Sequence, residues 1–154
     1  MRKQNQEIKD KAVIEEILAK SEICRIAMIE NGRPYILPFN YGYRDFCIYI
    51  HSAPEGKKIE LLKKNRNVCF EIEYKAELIK DEKACKCSTR YRSVVGYGDV
   101  EIITDYESKM NGLDIIMAHY GRNENNIYEK KQVDFIVILK LFITEMTGKQ
   151  SSNW

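Results

Sequence analysis

A chain of 154 residues with 44% hydrophobic and 31% charged content is long enough to bury one substantial core. Its formal net charge of +2 is spread along the chain, which excludes a nucleic-acid binder driven by a basic face. No apolar run approaches the roughly 18 residues of a membrane span, so no membrane partner is expected.

The N-terminus lacks the apolar centre of a signal peptide, and five cysteines is an odd count that fits poorly with a secreted disulfide framework. A cytoplasmic location is expected. Residues 10–20 read as an opening helix, with Asp10 as N-cap and Val13, Ile14, Ile17 and Leu18 on one stripe. A β-prone run at 23–29 leads to Asn31-Gly32, the strongest short hairpin signal in the chain. The returning strand is expected over 34–43, Arg44-Asp45 is the next tight connection, and 46–50 form a third strand. A helix is expected over 54–64, with Pro54 at its first position, where the missing N–H has no partner anyway.

Residues 68–74 alternate like a half-buried strand, and 75–87 form a charged connection. A long strand follows over 88–104, in which Gly96 and Gly98 mark a bulge or a close backbone approach. The next helix starts at Thr104-Asp105, carries Met110, Leu113, Ile116 and Met117 on its apolar stripe, and ends at Gly121. A polar loop leads to the last strand, over 133–146, and the tail 150–154 reads as loose. The connections of the first half are too short for parallel crossovers, which excludes a Rossmann sheet. A small antiparallel barrel of about six strands with about three packed helices is the economical answer, as one domain over 1–154 with its core at about 8–149.

The junction at 51–62 carries the chemistry. Strand, polar turn and a helix opening on lysines form a phosphate cradle, because first-turn N–H groups carry partial positive charge and lack partners. The same spacing also fits an ordinary strand–helix connection with solvated lysines. His51 reads equally as a structural histidine or as a group beside a ligand, and Asn40 as a structural amide or a ligand contact. Tyr91-Arg92-Ser93 reads as an exposed strand start or a binding segment. Cys24, Cys47 and Cys69 lie in apolar or alternating runs and read as small buried hydrophobes. Cys85-Lys86-Cys87 has no second pair and no histidine partner, so no metal site is expected.

Two blocks of the chain resemble a known family. The first is Pro34-Tyr35-Ile36-Leu37-Pro38-Phe39-Asn40-Tyr41, followed by Ile48-Tyr49-Ile50-His51-Ser52-Ala53 and Gly56-Lys57-Lys58. The second is Lys83-Ala84-Cys85 with Tyr91-Arg92-Ser93-Val94-Val95-Gly96-Tyr97-Gly98, and the ending at 143–149 is similar as well. Over residues 8–149 the chain resembles the pyridoxamine 5′-phosphate oxidase-like, FMN-binding split-barrel superfamily, in the branch of the nitroimidazole-resistance (Nim) proteins.

The resemblance implies a mainly β fold: a six-stranded antiparallel split barrel with α-helices, forming a homodimer with FMN at the subunit interface. Lys57 matches the lysine that contacts the flavin phosphate, and Ser52 in the same turn would donate to it. Pro38, Asn40 and Tyr41 match the strand that passes along the isoalloxazine ring. Ser93 matches a position that reaches the flavin from the partner subunit, with Arg92 beside it. His51, near where a substrate would meet the ring, is the candidate catalytic residue. The implied activity is FMN-dependent oxidoreduction between a donor such as a reduced nicotinamide and a small acceptor such as a nitro-aromatic. Two other functions stay open: a flavin-binding stress protein with little turnover, and haem binding through His51 or His119. Gly56-Lys57 replaces the Arg-Lys pair of pyridoxamine phosphate oxidases, and their Arg- and Pro-rich C-terminal segment has no counterpart, so vitamin B6 oxidation is not expected. Cys87 stands where the Nim-like branch usually has Trp.

Overall fold

The protein is described by a computed structural model covering residues 4–123, 126–152 and 154. A 3₁₀ turn (Gln4–Gln6) and a short strand β1 (Glu7–Ile8) precede helix α1 (Lys11–Lys20). Asp10 caps α1, its carboxylate accepting from Ala12 N at 2.9 Å. Strands β2 (Ile23–Glu30) and β3 (Arg33–Asn40) are joined by Asn31 and Gly32, both at positive φ, the geometry that matches strand twist in a two-residue hairpin. Asp45 and Phe46 repeat that arrangement between β4 (Gly42–Arg44) and β5 (Cys47–Ser52). Then come α2 (Lys57–Lys64), β6 (Asn67–Ile79), a 3₁₀ turn (Ala84–Lys86), β7 (Ser88–Ile103), α3 (Tyr106–His119), α4 (Lys130–Asp134) and β8 (Val137–Gln150).

Several expectations need correction. Among the described residues the sheet has eight strands, not six, because the run expected over 34–43 breaks at Tyr41 and Glu7–Ile8 adds a short edge strand. Pro54 lies in a bend, and α2 begins three residues later behind Gly56. The charged segment at 75–79 is strand, paired through Glu77↔Arg90 to Ile79↔Ser88, with a register shift after Tyr74 absorbed by Lys75 at φ 49°. Residues 130–134 are helix, where the end of the polar loop and, at 133–134, the start of the last strand were expected. The tail is docked: Ser151 N donates to Tyr91 O at 3.0 Å, and the Trp154 ring lies 4.4 Å from the Arg92 guanidinium.

All pairings are antiparallel, in the order β3-β2-β6-β7-β8-β5-β4, with β1 on β8. The two ends of that path, β3 and β4, are separated in the chain by Tyr41 alone. The sheet must therefore curl until its edges meet there, forming a barrel that stays split because β3 and β4 do not pair. Inside lie Ile17 and Leu18 of α1, Ile59 and Leu62 of α2, and inward strand residues such as Phe70, Ile72 and Leu141. Helix α3 packs outside, closing Ile115 and Ile116 over Cys47, Tyr49 and Ile138. Its buried face is Lys109, Gly112, Ile115 and Ile116, rotated from the expected methionine-containing stripe. The cause is close approach: a Cβ on Gly42 would fall 2.7 Å from the backbone of Ile115 and Ile116.

The expected irregularity in β7 is present. The ladder slips between Tyr97 and Gly98, leaving Thr144 as the extra residue of β8, and its hydroxyl donates to Tyr97 O at 3.1 Å. A Cβ on Gly98 would lie 2.2 Å from Phe142 O.

Tyr41 is fully buried, and its hydroxyl donates to Leu18 O at 2.7 Å. Burial holds this phenol well above the ordinary tyrosine range. An unfolded chain would release that proton first, so the associated stability is present below about pH 10 and is lost as pH rises further. We expect the urea midpoint to fall between about pH 9 and about pH 11, and the fall to shrink in Tyr41→Phe. Gly42→Ala should cost about 1–3 kcal/mol by overpacking, read from the same unfolding curves.

Candidate functional site

Helix α2 starts at an open corner of the barrel mouth. Gly56, at φ 103°, is its N-cap and offers no side chain to the first-turn N–H groups; its carbonyl accepts from Ile59 N and Glu60 N. A Cβ built on Gly56 would meet nothing within 4 Å, so space adjoins the helix start. The Lys57 ammonium lies 2.7 Å from Glu30 Oε2 and 4.4 Å from the centre of the Tyr35 ring. The hydrogen bond to Glu30 is the main cause holding its pKa above the usual lysine value. Lysine, carboxylate and tyrosine thus gather where the β2–β3 hairpin meets α2.

Ser52 is buried, and its hydroxyl donates to Ala53 O at 2.8 Å, so its proton is not directed at the helix start. His51 occupies the other face of β5, the face of Cys47 and Tyr49 that α3 covers further along. Its ring is exposed and has no hydrogen-bond partner among the described residues.

Asn40 and Tyr41 lie at the far end of β3, about 17 Å of strand from Tyr35. Strand β3 ends the sheet path and, among the described residues, pairs with β2 alone, so its outer edge keeps backbone groups outside any ladder. Pro38 and Asn40 are exposed on the outer face, whereas Tyr35 belongs to the inner one. The Tyr120 hydroxyl accepts from Asn40 Nδ2 and from Tyr41 N, both at 3.2 Å, and donates to Glu22 O at 2.6 Å. Its neighbour His119 donates from Nε2 to Ser21 O at 2.7 Å and stacks 4.5 Å from the Tyr41 ring. The sequence reading missed Tyr120. Its only local signal is an aromatic placed just before the helix-ending Gly121.

Arg92 is far from Lys57. It faces inward under α1, with Nη1 3.5 Å from Glu16 Oε2 and Nε donating to Gln150 Oε1 at 3.2 Å. Ser93 pairs with Glu73 and Lys149, one residue from the row containing Cys24, Ile72 and Val94. It therefore lies toward the Asn40 end of the sheet. One chain brings Lys57 to Tyr35 at one end and Asn40 to Tyr120 at the other, and brings neither Arg92 nor Ser93 to Lys57. A polar cleft of about 600 Å³ opens between the end of α1 and β6, lined by Lys20, Arg25, Glu73 and Lys75 among others. The outer sheet face carries a row of Ile36, Ala27, Cys69 and Tyr97, and Ile36 and Tyr97 are 57% and 47% exposed.

Among the described residues, no three His, Cys, Asp or Glu side chains could hold a metal ion together, and no helix is long and apolar enough to cross a membrane. Cys24 and Cys47 are buried, Cys69 is half-buried, and Cys85 and Cys87 are exposed.

A split antiparallel barrel with an open, lysine-bearing helix start after its fifth strand defines the class. The pyridoxamine 5′-phosphate oxidase family pattern matches residues 10–150, and the chain belongs to that family. It is 37% identical to a candidate 5-nitroimidazole antibiotic resistance protein from Bacteroides thetaiotaomicron, with TM-score 0.83 over 94% of this chain and 86% of that one. A flavocytochrome from Azotobacter vinelandii shares the fold at 19% identity and TM-score 0.81, covering 98% of this chain and 72% of that one. So does an FAD- and haem-binding protein from Mycobacterium smegmatis, at 18% identity and TM-score 0.84, covering 97% and 75%. No curated protein matches the chain.

Tyr120→Phe removes an acceptor shared by two donors and the hydrogen bond to Glu22 O. We expect a loss of about 1–3 kcal/mol in chemical unfolding, with the fold retained by circular dichroism.

Proposed function

We propose that this chain is an FMN-binding oxidoreductase that acts as a homodimer. Electrons would pass from a reduced nicotinamide or similar donor to a small acceptor, and a nitro-aromatic is the acceptor favoured by its 37% identical relative. The observation that carries the reading is the open start of α2, where an ammonium and the Lys57 and Lys58 N–H groups, unpartnered among the described residues, adjoin free space.

That donor set fits a phosphomonoester. Lys57 and the first-turn N–H groups would hold the phosphate, while the free edge of β3 faces the rest of the mononucleotide. Asn40 and the Tyr41 N–H are donors suited to the polar edge of a flavin ring, and Pro38 offers apolar cover on the outer face. Ser52 would join the phosphate contacts by turning its hydroxyl from Ala53 O. Bound there, flavin supplies hydride and single-electron transfer, and the protein supplies position and access. His51 would orient the acceptor or deliver a proton, for which imidazole is the suited side chain at neutral pH.

Ser93 matches a position that reaches the flavin from the partner subunit, with Arg92 beside it, so in this reading both act on the flavin held by a second copy. That copy would cover the exposed row through Ile36 and Tyr97, where apolar side chains otherwise face water. Haem is the rival cofactor. Of the two histidines, His119 already donates to Ser21 O, which leaves His51 as the exposed imidazole.

Titration of the apo-protein with FMN, followed by flavin fluorescence and by mass in solution, tests cofactor and dimer together. Flavin bands near about 370 and about 450 nm would support the reading, and a Soret band near about 400 nm would replace it with haem. Lys57→Ala should weaken FMN binding by about 1–3 kcal/mol, or about five- to hundredfold. An unchanged dissociation constant would remove Lys57 as the anchor.

A further inference from the structure

We propose that Glu30 is a built-in competitor for the ligand's phosphate, setting how tightly a phosphorylated flavin is held relative to an unphosphorylated one. The inference rests on the reading of Lys57 as the phosphate anchor.

Glu30 is the last residue of β2, and its side chain reaches across the barrel mouth to α2. Its Oε2 takes the Lys57 ammonium at 2.7 Å, with the ammonium seated over Tyr35. Among the described residues it is the carboxylate within ion-pair distance of Lys57. An anionic oxygen of the chain therefore already occupies the cation that a phosphate oxygen would seek.

An ammonium has three donors, so geometry alone would let carboxylate and phosphate share it. Charge opposes the sharing, because a phosphomonoester near neutral pH carries a charge of about −1.5 to −2 and would sit within a few ångströms of a second anion. Docking thus requires Glu30 to turn away. Both side chains are substantially exposed, at 47% and 40%, so the ion pair is easily broken and the carboxylate has water to turn into. The penalty falls on ligands that need Lys57. A flavin without phosphate leaves the Glu30–Lys57 pair in place.

Full-length wild type, Glu30→Gln and Lys57→Met would be titrated with FMN and with riboflavin by flavin fluorescence, with thermal melts checking the fold. Glu30→Gln should tighten FMN about three- to tenfold and change riboflavin less than about twofold. Lys57→Met should weaken FMN alone. Equal or weaker FMN binding by Glu30→Gln, with Lys57→Met still impaired, would overturn the competitor role and make Glu30 a positioning residue for Lys57. If Lys57→Met binds FMN like wild type, the anchor reading and this inference fall together. Glu30→Ala repeats the test should the glutamine reform a hydrogen bond to Lys57.

Discussion

One residue joins the two edges of the sheet, and the rest of the architecture answers to it. Tyr41 separates β3 from β4, so the strand path can exist only if it closes on itself at that point. The buried phenol reaches Leu18 O in α1, its ring packs on His119 of α3, and its N–H reaches the Tyr120 hydroxyl. An unsatisfied buried hydroxyl costs about 1–3 kcal/mol, so the Leu18 carbonyl is as much a part of the closure as the tyrosine. Helices at opposite ends of the sequence are thereby tied to the seam of the barrel.

The same closure brings together groups that local sequence keeps apart. At one end of β3 a lysine meets a glutamate from a hairpin; at the other, an amide and a backbone N–H meet a phenol from the end of α3. Each donor is satisfied by an oxygen of the chain itself. These are exposed or half-exposed contacts, cheap to exchange for a ligand's oxygens, in contrast to the buried Tyr41–Leu18 bond. Strong bonds hold the seam, and weak ones line the surface a ligand would approach.

Much of the fold was legible in the sequence because its signals are local. Asn31-Gly32, the caps Asp10 and Asp105, and Gly121 at the end of α3 act within a few residues, and each does what its chemistry dictates. The break at Tyr41 was masked: Asn40 and Gly42 disfavour strand, but they alternate with Phe39, Tyr41 and Tyr43, and the closing sheet decides where the interruption falls. The strand nature of 75–79 was hidden by charge and is supported across the ladder, where Arg90 lies 3.5 Å from Glu77. At the site, Lys57 was visible as a cation at a helix start. Glu30 and Tyr120 were not, because tertiary closure alone brings them there.

The bulge at Thr144 sets a rule of parity for the last strand. Leu139, Leu141 and Ile143 line the interior on odd positions; beyond the extra residue, Met146 and Gly148 do so on even ones. Losing Thr144 would straighten β8 yet leave Met146 and Gly148 facing inward, whereas losing one residue elsewhere in the strand would turn the residues beyond it to the other face. The strand can therefore lose a single residue at the bulge, and elsewhere can change length only in pairs.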